Sequence, residues 1–278
     1  MSGDARADVG SAAPLGAGAR WRARLAAVLP GIVGIGLFTL VWQLVALHNR
    51  RVIPTIAAIW SELVTYRGPF ALNALTTLKE AAVSLAVSFV VAFVLAVAMV
   101  EIVVVERAVM PLAVILNVTP VVAFAPGLAI AFNLSDVPRY IVTGVIVFFP
   151  LLINSLIGLR SVDPEALDVF TSLAATRREV LVHLRLPSSL PFLFAAARIC
   201  FPLAIVGAVV AEFVTTGGTV GLGNDITAGV QFTNLAETYA AIVWLAGLGL
   251  ILTLIVVVAE RYLLSWHPSG SLARRAAD

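Results

Sequence analysis

The chain has 278 residues, of which 60% are hydrophobic and 12% are charged, and its mean hydropathy is +1.02. A soluble globular domain carries about twice that share of charged residues, so the composition excludes a soluble protein and indicates an all-α integral membrane protein. The net charge of +2 gives no electrostatic basis for binding nucleic acid, and the single cysteine, Cys200, excludes a disulfide within the chain.

The N-terminal part of the chain combines arginines with small residues. Residues 1–28 are rich in alanine and glycine and contain Arg20, Arg22 and Arg24, which predicts a disordered, basic segment. The apolar run that follows, residues 29–47, is long and has no clear cleavage site, so we interpret it as a first membrane span rather than a signal peptide. Residues 54–66 repeat apolar residues at helical spacing, which indicates a helix lying along the membrane surface.

Further apolar runs are long enough to cross a bilayer, which takes about 20 residues each. These runs are residues 75–100, 109–132, 140–158, 190–214 and 239–264. Together with the first span they predict a transmembrane domain of about six spanning helices over residues 29–266, followed by a C-terminal tail, residues 267–278.

The third span is interrupted by Pro111, Pro120 and Pro126. Proline in a spanning helix leaves backbone groups without their intrahelical hydrogen bonds, and neighbouring groups must satisfy them. The run therefore predicts a kinked or broken helix. Two interpretations stay open, because such a helix can line a pathway through the membrane or can serve packing alone.

A few polar residues in or beside the spans are candidates for lining a translocation path. They are Asn117, Thr119, Pro120, Asn154, Ser155 and Glu212. The alternative for the uncharged ones is hydrogen bonding between helices, which contributes about 0.6 kcal/mol per contact. For Glu212 we favour a solvated position at the membrane interface over contact with a solute.

The other ionisable residues near the spans have simple interpretations. Lys79 and Glu80 are predicted to form a pair that snorkels to the interface, and Arg139 is predicted to lie in a turn over residues 133–139. Residues 215–237 are glycine-rich and predict a loop with a short helix from Asn224. We therefore expect no ionisable residue that is both deep in a span and partnered.

One polar segment, residues 163–187, interrupts the apolar chain, and we call it the polar loop. Asp163 before Pro164 predicts a helix start, and Thr176 with Glu179 matches a capping box that starts a second helix. The bend between the two helices is expected at residues 174–176. The second helix is expected to stop at Leu186, before Pro187, with a new helix capped by Ser188 or Ser189.

The distribution of basic residues predicts an orientation. With a cytoplasmic N-terminus and six spans, the polar loop lies on the cytoplasmic side, which then holds most of the arginines. The opposite side holds Arg50, Arg51, Arg67, Lys79 and Arg139.

Motifs for catalysis are not found in the sequence. It contains no GxxxxGK[ST] and no GxSxG, and His48, His183 and His267 lack metal-ligand spacing. The Gly218 to Gly223 run follows no predicted strand, so we interpret it as an external turn rather than a nucleotide loop. We predict no catalytic residue, no metal site, no cofactor and no enzymatic activity of the chain itself.

The polar loop resembles the EAA loop of permease subunits of ATP-binding-cassette (ABC) importers. That pattern is EAA, three residues, glycine, nine residues, isoleucine, one residue, Leu-Pro. The same spacing is found at residues 168–170, Ala174, Leu184 and Leu186 with Pro187, although several of the residues differ from those of the pattern. The flanking words SVDPEALD and LPSSLPFLFAAARI resemble the nitrate, sulfonate and taurine branch, and the resemblance extends over residues 54–266.

This resemblance implies the fold, partners and contact residues of a type I ABC importer. The polar loop would be the coupling loop that contacts a cytoplasmic ABC ATPase dimer, through Glu165, Asp168, Ala174, Ala175, Thr176, Arg177, Arg178 and Pro187. The other implied partners are an external solute-binding protein, a second copy of the chain in a homodimer, and the lipid bilayer of the plasma membrane. Ala174 replaces the glycine of the family, which costs little in a right-handed bend but is strained in a left-handed one.

The implied substrate is a small solute such as nitrate, an alkanesulfonate or taurine. The same fold also serves thiamine-precursor pyrimidines and riboflavin, and we keep that alternative. A secondary transporter driven by an ion gradient is a different class, which would show internal repeats and ionisable residues at the membrane midplane. A membrane-embedded enzyme would need the catalytic motifs that the sequence lacks.

Overall fold

The structure of the chain is a computed structural model that describes residues 17–49, 52–132, 135–214 and 220–263. The chain forms two compact units, Met1–Ile56 and Ala57–Asp278. In the first unit, helix α1 spans Ala17–His48. The Trp42 indole donates a hydrogen bond to the Pro54 carbonyl at 3.2 Å, and the Ile56 amide donates to the Gln43 side chain at 3.3 Å, so the segment after α1 folds back onto the end of that helix.

In the described residues of the second unit, every regular element is helical. The helices are α2 (Ile56–Thr65), α3 (Arg67–Glu101), α4 (Val103–Val118), α5 (Ala125–Ala131), α6 (Val137–Arg160), α7 (Pro164–Ser172), α8 (Arg177–Val180), α9 (Leu186–Val214), α10 (Leu222–Gln231) and α11 (Leu235–Leu263). A 3-10 turn, Val121–Phe124, precedes α5, and a π turn, Leu181–Arg185, joins α8 to α9.

Five helical segments of the described chain are long and apolar enough to cross a membrane. They are Leu29–His48, Arg67–Glu101, Val137–Arg160, Arg177–Val214 and Leu235–Tyr262. A sixth span is possible if α4 and the Val121–Ala131 segment count as one, although the two are bent by 83°. The polytopic all-helical fold that the composition predicts is therefore confirmed.

The bend in the third span lies at Thr119 and Pro120, as the proline pattern predicts. Thr119 ends α4 with an extended backbone, because the following Pro120 disfavours a helical conformation at the residue before it. By contrast, Pro111 and Pro126 lie inside or at the start of helices. Proline in the first turn of α5 costs no hydrogen bond, since the first amides of a helix have no intrahelical partner.

Small side chains let α3, α6 and α9 pack closely in the main apolar core. Fully buried residues include Ala92, Ala96, Ala196 and Ala208. A Cβ added at Gly158 of α6 would lie 2.9 Å from the Phe192 Cβ. Small residues at such crossings allow close backbone approach, on which helix packing in a membrane depends.

Several helices start earlier than the apolar runs predict. Helix α3 starts at Arg67 rather than residue 75, and α6 starts at Val137 rather than residue 140, because Pro138 fits its first turn. Arg139 therefore lies in a helix and not in a turn, so that prediction was wrong. Helix α1 starts at Ala17, before the first apolar run at residue 29. Residues 1–16 and the tail, residues 267–278, lie outside the described residues.

Candidate functional site

The polar loop is organised by local hydrogen bonds that the sequence pattern predicts. The Asp163 side chain accepts a hydrogen bond from the Glu165 amide at 3.0 Å and caps α7. Thr176 and Glu179 form the complete capping box of α8. The Thr176 hydroxyl accepts from the Glu179 amide at 3.3 Å, and the Glu179 carboxylate accepts from the Thr176 amide at 2.7 Å. Both helix starts of the loop are confirmed.

The bend between α7 and α8 is a left-handed turn at Ala174. Its φ is +50°, the Ala175 amide donates to the Phe170 carbonyl at 3.0 Å, and the Ala174 amide donates to the Thr171 carbonyl at 3.0 Å. This pattern is the Schellman motif, which usually has glycine at the left-handed position. Alanine there is strained by about 1–2 kcal/mol because its Cβ crowds the following carbonyl.

The second helix of the loop does not end before Pro187, so that prediction was wrong. Helix α8, the π turn and α9 form one continuous helical segment, Arg177–Val214, of 38 residues. The Leu186 amide donates to the Leu181 carbonyl, five residues earlier, as in a π helix. The wider turn accommodates the ring of Pro187, which would otherwise collide with the preceding turn. The predicted caps at Ser188 and Ser189 therefore lie inside the helix.

The predicted contact residues of the polar loop are mostly exposed. Seven of the eight residues are exposed and only Ala175 is half-buried; the exposed ones are Glu165, Asp168, Ala174, Thr176, Arg177, Arg178 and Pro187. A cavity of about 310 Å³ lies between the end of α3 and the loop, lined by Val100, Glu101, Ala175, Arg177, Val180 and Arg185. We call this end of α3, α6 and α9 the loop end.

The six candidates for a translocation path do not form one site, since they are spread over α4 and the bend that follows it, α6 and α9. Thr119 donates to the Ile115 carbonyl at 2.6 Å, and Asn154 donates to the Pro150 carbonyl at 2.8 Å. These bonds lie within their own segments, which favours a local structural role. Asn117 and Pro120 are exposed, Ser155 is fully buried, and Glu212 is 1% exposed.

A separate cavity of about 340 Å³ lies between α3, α4 and α6. Its lining is uncharged and mostly apolar, with two aromatic side chains, Tyr140 and Phe148, and two serines, Ser84 and Ser88. The Ser88 hydroxyl donates to the Gly144 carbonyl at 2.9 Å. A mostly apolar wall with a few hydroxyl groups is typical of a pocket for an organic ligand.

Four polar side chains are buried together at the end of the helices opposite the loop end, and we call Thr77, Glu80, Arg139 and Glu212 the buried polar cluster. Arg139 pairs with the Glu80 carboxylate at 3.0 Å, and their side chains are only 2% and 3% exposed. Arg139 also donates to the Val220 carbonyl at 3.3 Å. The expected Lys79–Glu80 snorkelling pair is therefore wrong, because Glu80 turns inward to Arg139.

Glu212 is buried in this cluster, so the expectation that it is solvated at the membrane interface was wrong. The Thr77 hydroxyl donates to one of its carboxylate oxygens at 2.7 Å, and the Gly223 amide donates to the other at 2.5 Å. Thr77 in turn accepts from the Leu222 amide at 3.0 Å. Glu212 therefore compensates the positive N-terminal end of α10, which offsets the cost of burying its charge.

The glycines around the start of α10 make room for this carboxylate. A Cβ at Gly221, whose φ is +141°, would overlap the Glu212 carboxylate, and a Cβ at Gly223 would lie 2.6 Å from one of its oxygens. The GLG part of the glycine-rich run is thus explained by close packing against Glu212. These ionisable residues are thus buried and partnered, and they lie near the helix ends opposite the polar loop.

Helix α10 is also attached to α3 through Asp225. The Asn73 amide donates to both carboxylate oxygens of Asp225, at 2.7 and 2.8 Å. Burial raises the pKa of Asp225 from 3.8 to about 6, against the opposing effect of the Asn73 hydrogen bonds. Within the described part of the chain, no group of three or more His, Cys, Asp or Glu side chains could hold a metal ion.

Comparisons with known proteins point to transport. The family model described as "Binding-protein-dependent transport system inner membrane component" matches residues 88–265. The chain is 33% identical over 191 residues to the formylaminopyrimidine transport permease protein ThiX of Halalkalibacterium halodurans, covering 69% of this chain and 76% of that protein.

Two further relatives carry other substrate names. The riboflavin transport system permease protein RibX of Chloroflexus aurantiacus is 33% identical over 164 residues, covering 59% of this chain and 60% of that protein. The bicarbonate transport system permease protein CmpB of a Synechocystis strain is 24% identical over 246 residues, covering 84% of this chain and 87% of that protein.

The left-handed turn generates a prediction for Ala174→Gly. Glycine adopts this φ without strain, so the variant should be more stable by about 1 kcal/mol, and the amides of Ala175 and Thr176 should exchange hydrogen more slowly. Thermal unfolding in detergent and hydrogen exchange of the loop measure both effects. The matched control, Ala175→Gly at a position without positive φ, should be neutral or destabilising. A destabilised Ala174→Gly variant would contradict the strain.

The buried Asp225 generates a prediction about pH. Its pKa is raised in the folded protein, so the folded state binds the proton more tightly than the unfolded state. The resulting stability is present below pH 3.8 and is lost as the pH rises to about 6. Asp225→Asn should abolish this part of the pH dependence, as measured by unfolding in detergent at several pH values. An identical pH dependence in both proteins would refute the prediction.

Proposed function

Because the chain belongs to the family of binding-protein-dependent transport system inner membrane components, which the match over residues 88–265 establishes, we propose that the polar loop is its coupling loop. The chain is a multi-pass permease subunit of an ABC importer. In our proposal its N-terminus and polar loop are cytoplasmic, two copies form the pathway in the plasma membrane, an ATPase dimer binds the two loops, and an external binding protein delivers the solute.

The observation that carries the proposal is the construction of the polar loop. It is capped at both helix starts, turned sharply at Ala174, and continuous with a membrane span through Arg177–Val214. A rigid, exposed, polar segment built in this way can receive a push and pass it to the span. No catalytic group is needed for that task, because alternating access requires only helices that can adopt two arrangements.

Charge gives the contact its specificity. Arg177 and Arg178 are both exposed at the start of α8, and Arg177 also lines the cavity beside the loop. In our proposal these arginines pair with acidic groups on the ATPase surface. The acidic side chain of each pair then belongs to the ATPase, so reversing the charges of the two arginines turns attraction into repulsion.

The test is the double variant Arg177→Glu with Arg178→Glu in membranes that contain the whole transporter. ATP-driven solute uptake should fall at least about tenfold, since like charges at an interface cost several kcal/mol. The control is Arg107→Glu, which reverses an exposed charge at the loop end but outside the polar loop. Unchanged uptake in the double variant would remove the proposed contact.

The charge of the residues that line the cavity between α3, α4 and α6 bears on the class of substrate. The sequence resemblance favours a small anion such as nitrate, an alkanesulfonate or taurine. The cavity between α3, α4 and α6, however, is lined by uncharged residues with two aromatic rings and two serines. The buried Arg139 is already balanced by Glu80. These features favour the alternative, a neutral heterocycle of the pyrimidine or riboflavin type, as in the names of two relatives.

Uptake by cells that lack or regain the chain distinguishes the two classes. We expect labelled formylaminopyrimidine or riboflavin to enter only when the chain is present, and labelled taurine and nitrate to enter equally in both strains. Tyr140→Ala should reduce the uptake, because the ring contributes to the cavity wall. If only the uptake of taurine or nitrate depended on the chain, the substrate would be a small anion and the proposed heterocycle would be wrong.

A further inference from the structure

The buried polar cluster connects four separate helices at the end opposite the polar loop. Glu80 of α3 pairs with Arg139 of α6, and Arg139 also binds the carbonyl of Val220, just before α10. Thr77 of α3 binds both Glu212 of α9 and the Leu222 amide of α10. The start of α10 is therefore attached to three spans by hydrogen bonds that are buried, except for the part-buried bond to Val220.

The same cluster is connected to the polar loop by a single helical segment. Arg177–Val214 begins with the second helix of the loop, and Glu212 lies two residues before its end. A helix rises about 1.5 Å per residue, so this segment is about 57 Å long. A displacement of the polar loop can therefore be transmitted along this one helical segment to the Glu212 carboxylate, which binds α10.

The charges in the cluster resist separation. Glu80 is compensated by Arg139, and Glu212 is compensated by the amides at the start of α10. Moving either partner away would leave an unpaired charge in an apolar environment, which is strongly unfavourable unless water replaces the partner. Next to the cluster, Leu222 is fully buried against Phe70, Ala74, Ala240 and Ala241, which also keeps α10 in place.

We propose that Thr77, Glu80, Arg139 and Glu212 are positioning residues for transport. They attach α10 to the spans so that α10 moves together with the helix that carries the polar loop. The motion driven at the loop end then reaches the opposite face of the membrane as a rigid displacement of α10. This inference rests on the proposed function for its transport consequence, but the attachment of α10 is a property of the chain itself.

Two variants loosen the attachment in different ways. Glu212→Gln removes the charge at the start of α10 with little change in shape, and Gly223→Ala places a Cβ 2.6 Å from the Glu212 carboxylate without changing any charge. The matched control is Glu237→Gln, a half-buried carboxylate near the start of α11 that lies outside the cluster. Each variant is studied in the complete transporter, reconstituted in vesicles.

Two readouts separate positioning from folding. The first is the hydrogen exchange of the Leu222 and Gly223 amides, which should be about tenfold or more faster in both variants and unchanged in the control. The Gly223 amide loses its bond to the charged Glu212 carboxylate, and the Leu222 amide loses its bond to the Thr77 hydroxyl, which Glu212 holds in place. The second is the number of formylaminopyrimidine molecules moved per ATP hydrolysed, counted per folded complex. It should fall in both variants while ATP hydrolysis continues. A merely structural role would lower hydrolysis and transport together and leave the ratio unchanged.

The unmodified transporter provides a test that requires no variant. The Leu222 and Gly223 amides should stay protected from exchange both without nucleotide and with a trapped ATP analogue. Loss of protection in either state, or an unchanged coupling ratio in a variant with fast exchange, would overturn the proposal. The native complex could hydrolyse ATP and keep these amides protected, yet transport none of the solutes tested. That result would contradict the proposed substrate but would support the attachment of α10.

Discussion

The continuity of the helical segment Arg177–Val214 is the constraint on which the rest of the structure depends. A break before Pro187 would separate the polar loop from the membrane, and the loop could then move without consequence for the spans. The π turn at Leu181–Arg185 prevents that break by accommodating the proline ring inside a helix. As a result, a single helix begins in the exposed loop and ends beside the buried Glu212.

The second determinant is the compensation of charge inside an apolar chain. A membrane interior has no water to satisfy a carboxylate or a guanidinium, so each buried charge needs a fixed partner. Arg139 lies in the first turn of α6, where the helix dipole disfavours a positive charge, and Glu80 compensates it. Glu212 lies beside the start of α10, where the dipole favours a negative charge. The glycines at 221 and 223 then follow from the space that the carboxylate occupies.

The local features of the fold could be predicted from the sequence, because their causes lie within a few residues. The cap at Asp163, the capping box at Thr176 and the break before Pro120 are of this kind. The long-range features could not. Glu80 and Arg139 are 59 positions apart, and no local pattern indicates that they meet. The sign of φ at Ala174 could not be predicted, because the residues around it are compatible with a right-handed or a left-handed turn. The continuation of the helix through Pro187 could not be predicted either, because a π turn has no sequence signature comparable to a helix cap.

The most direct test of the account measures one distance in the assembled transporter. Spin labels are placed at the exposed positions His183 and Gln231, in a copy diluted with unlabelled chain, and the distance is recorded without nucleotide and with a trapped ATP analogue. The native Cys200 is buried, which keeps it away from the labelling reagent. We predict that this distance stays the same in both states, because the polar loop and α10 move together, while the distance between labels at His183 in the two copies changes. A shift of the His183 to Gln231 distance with nucleotide would contradict the account.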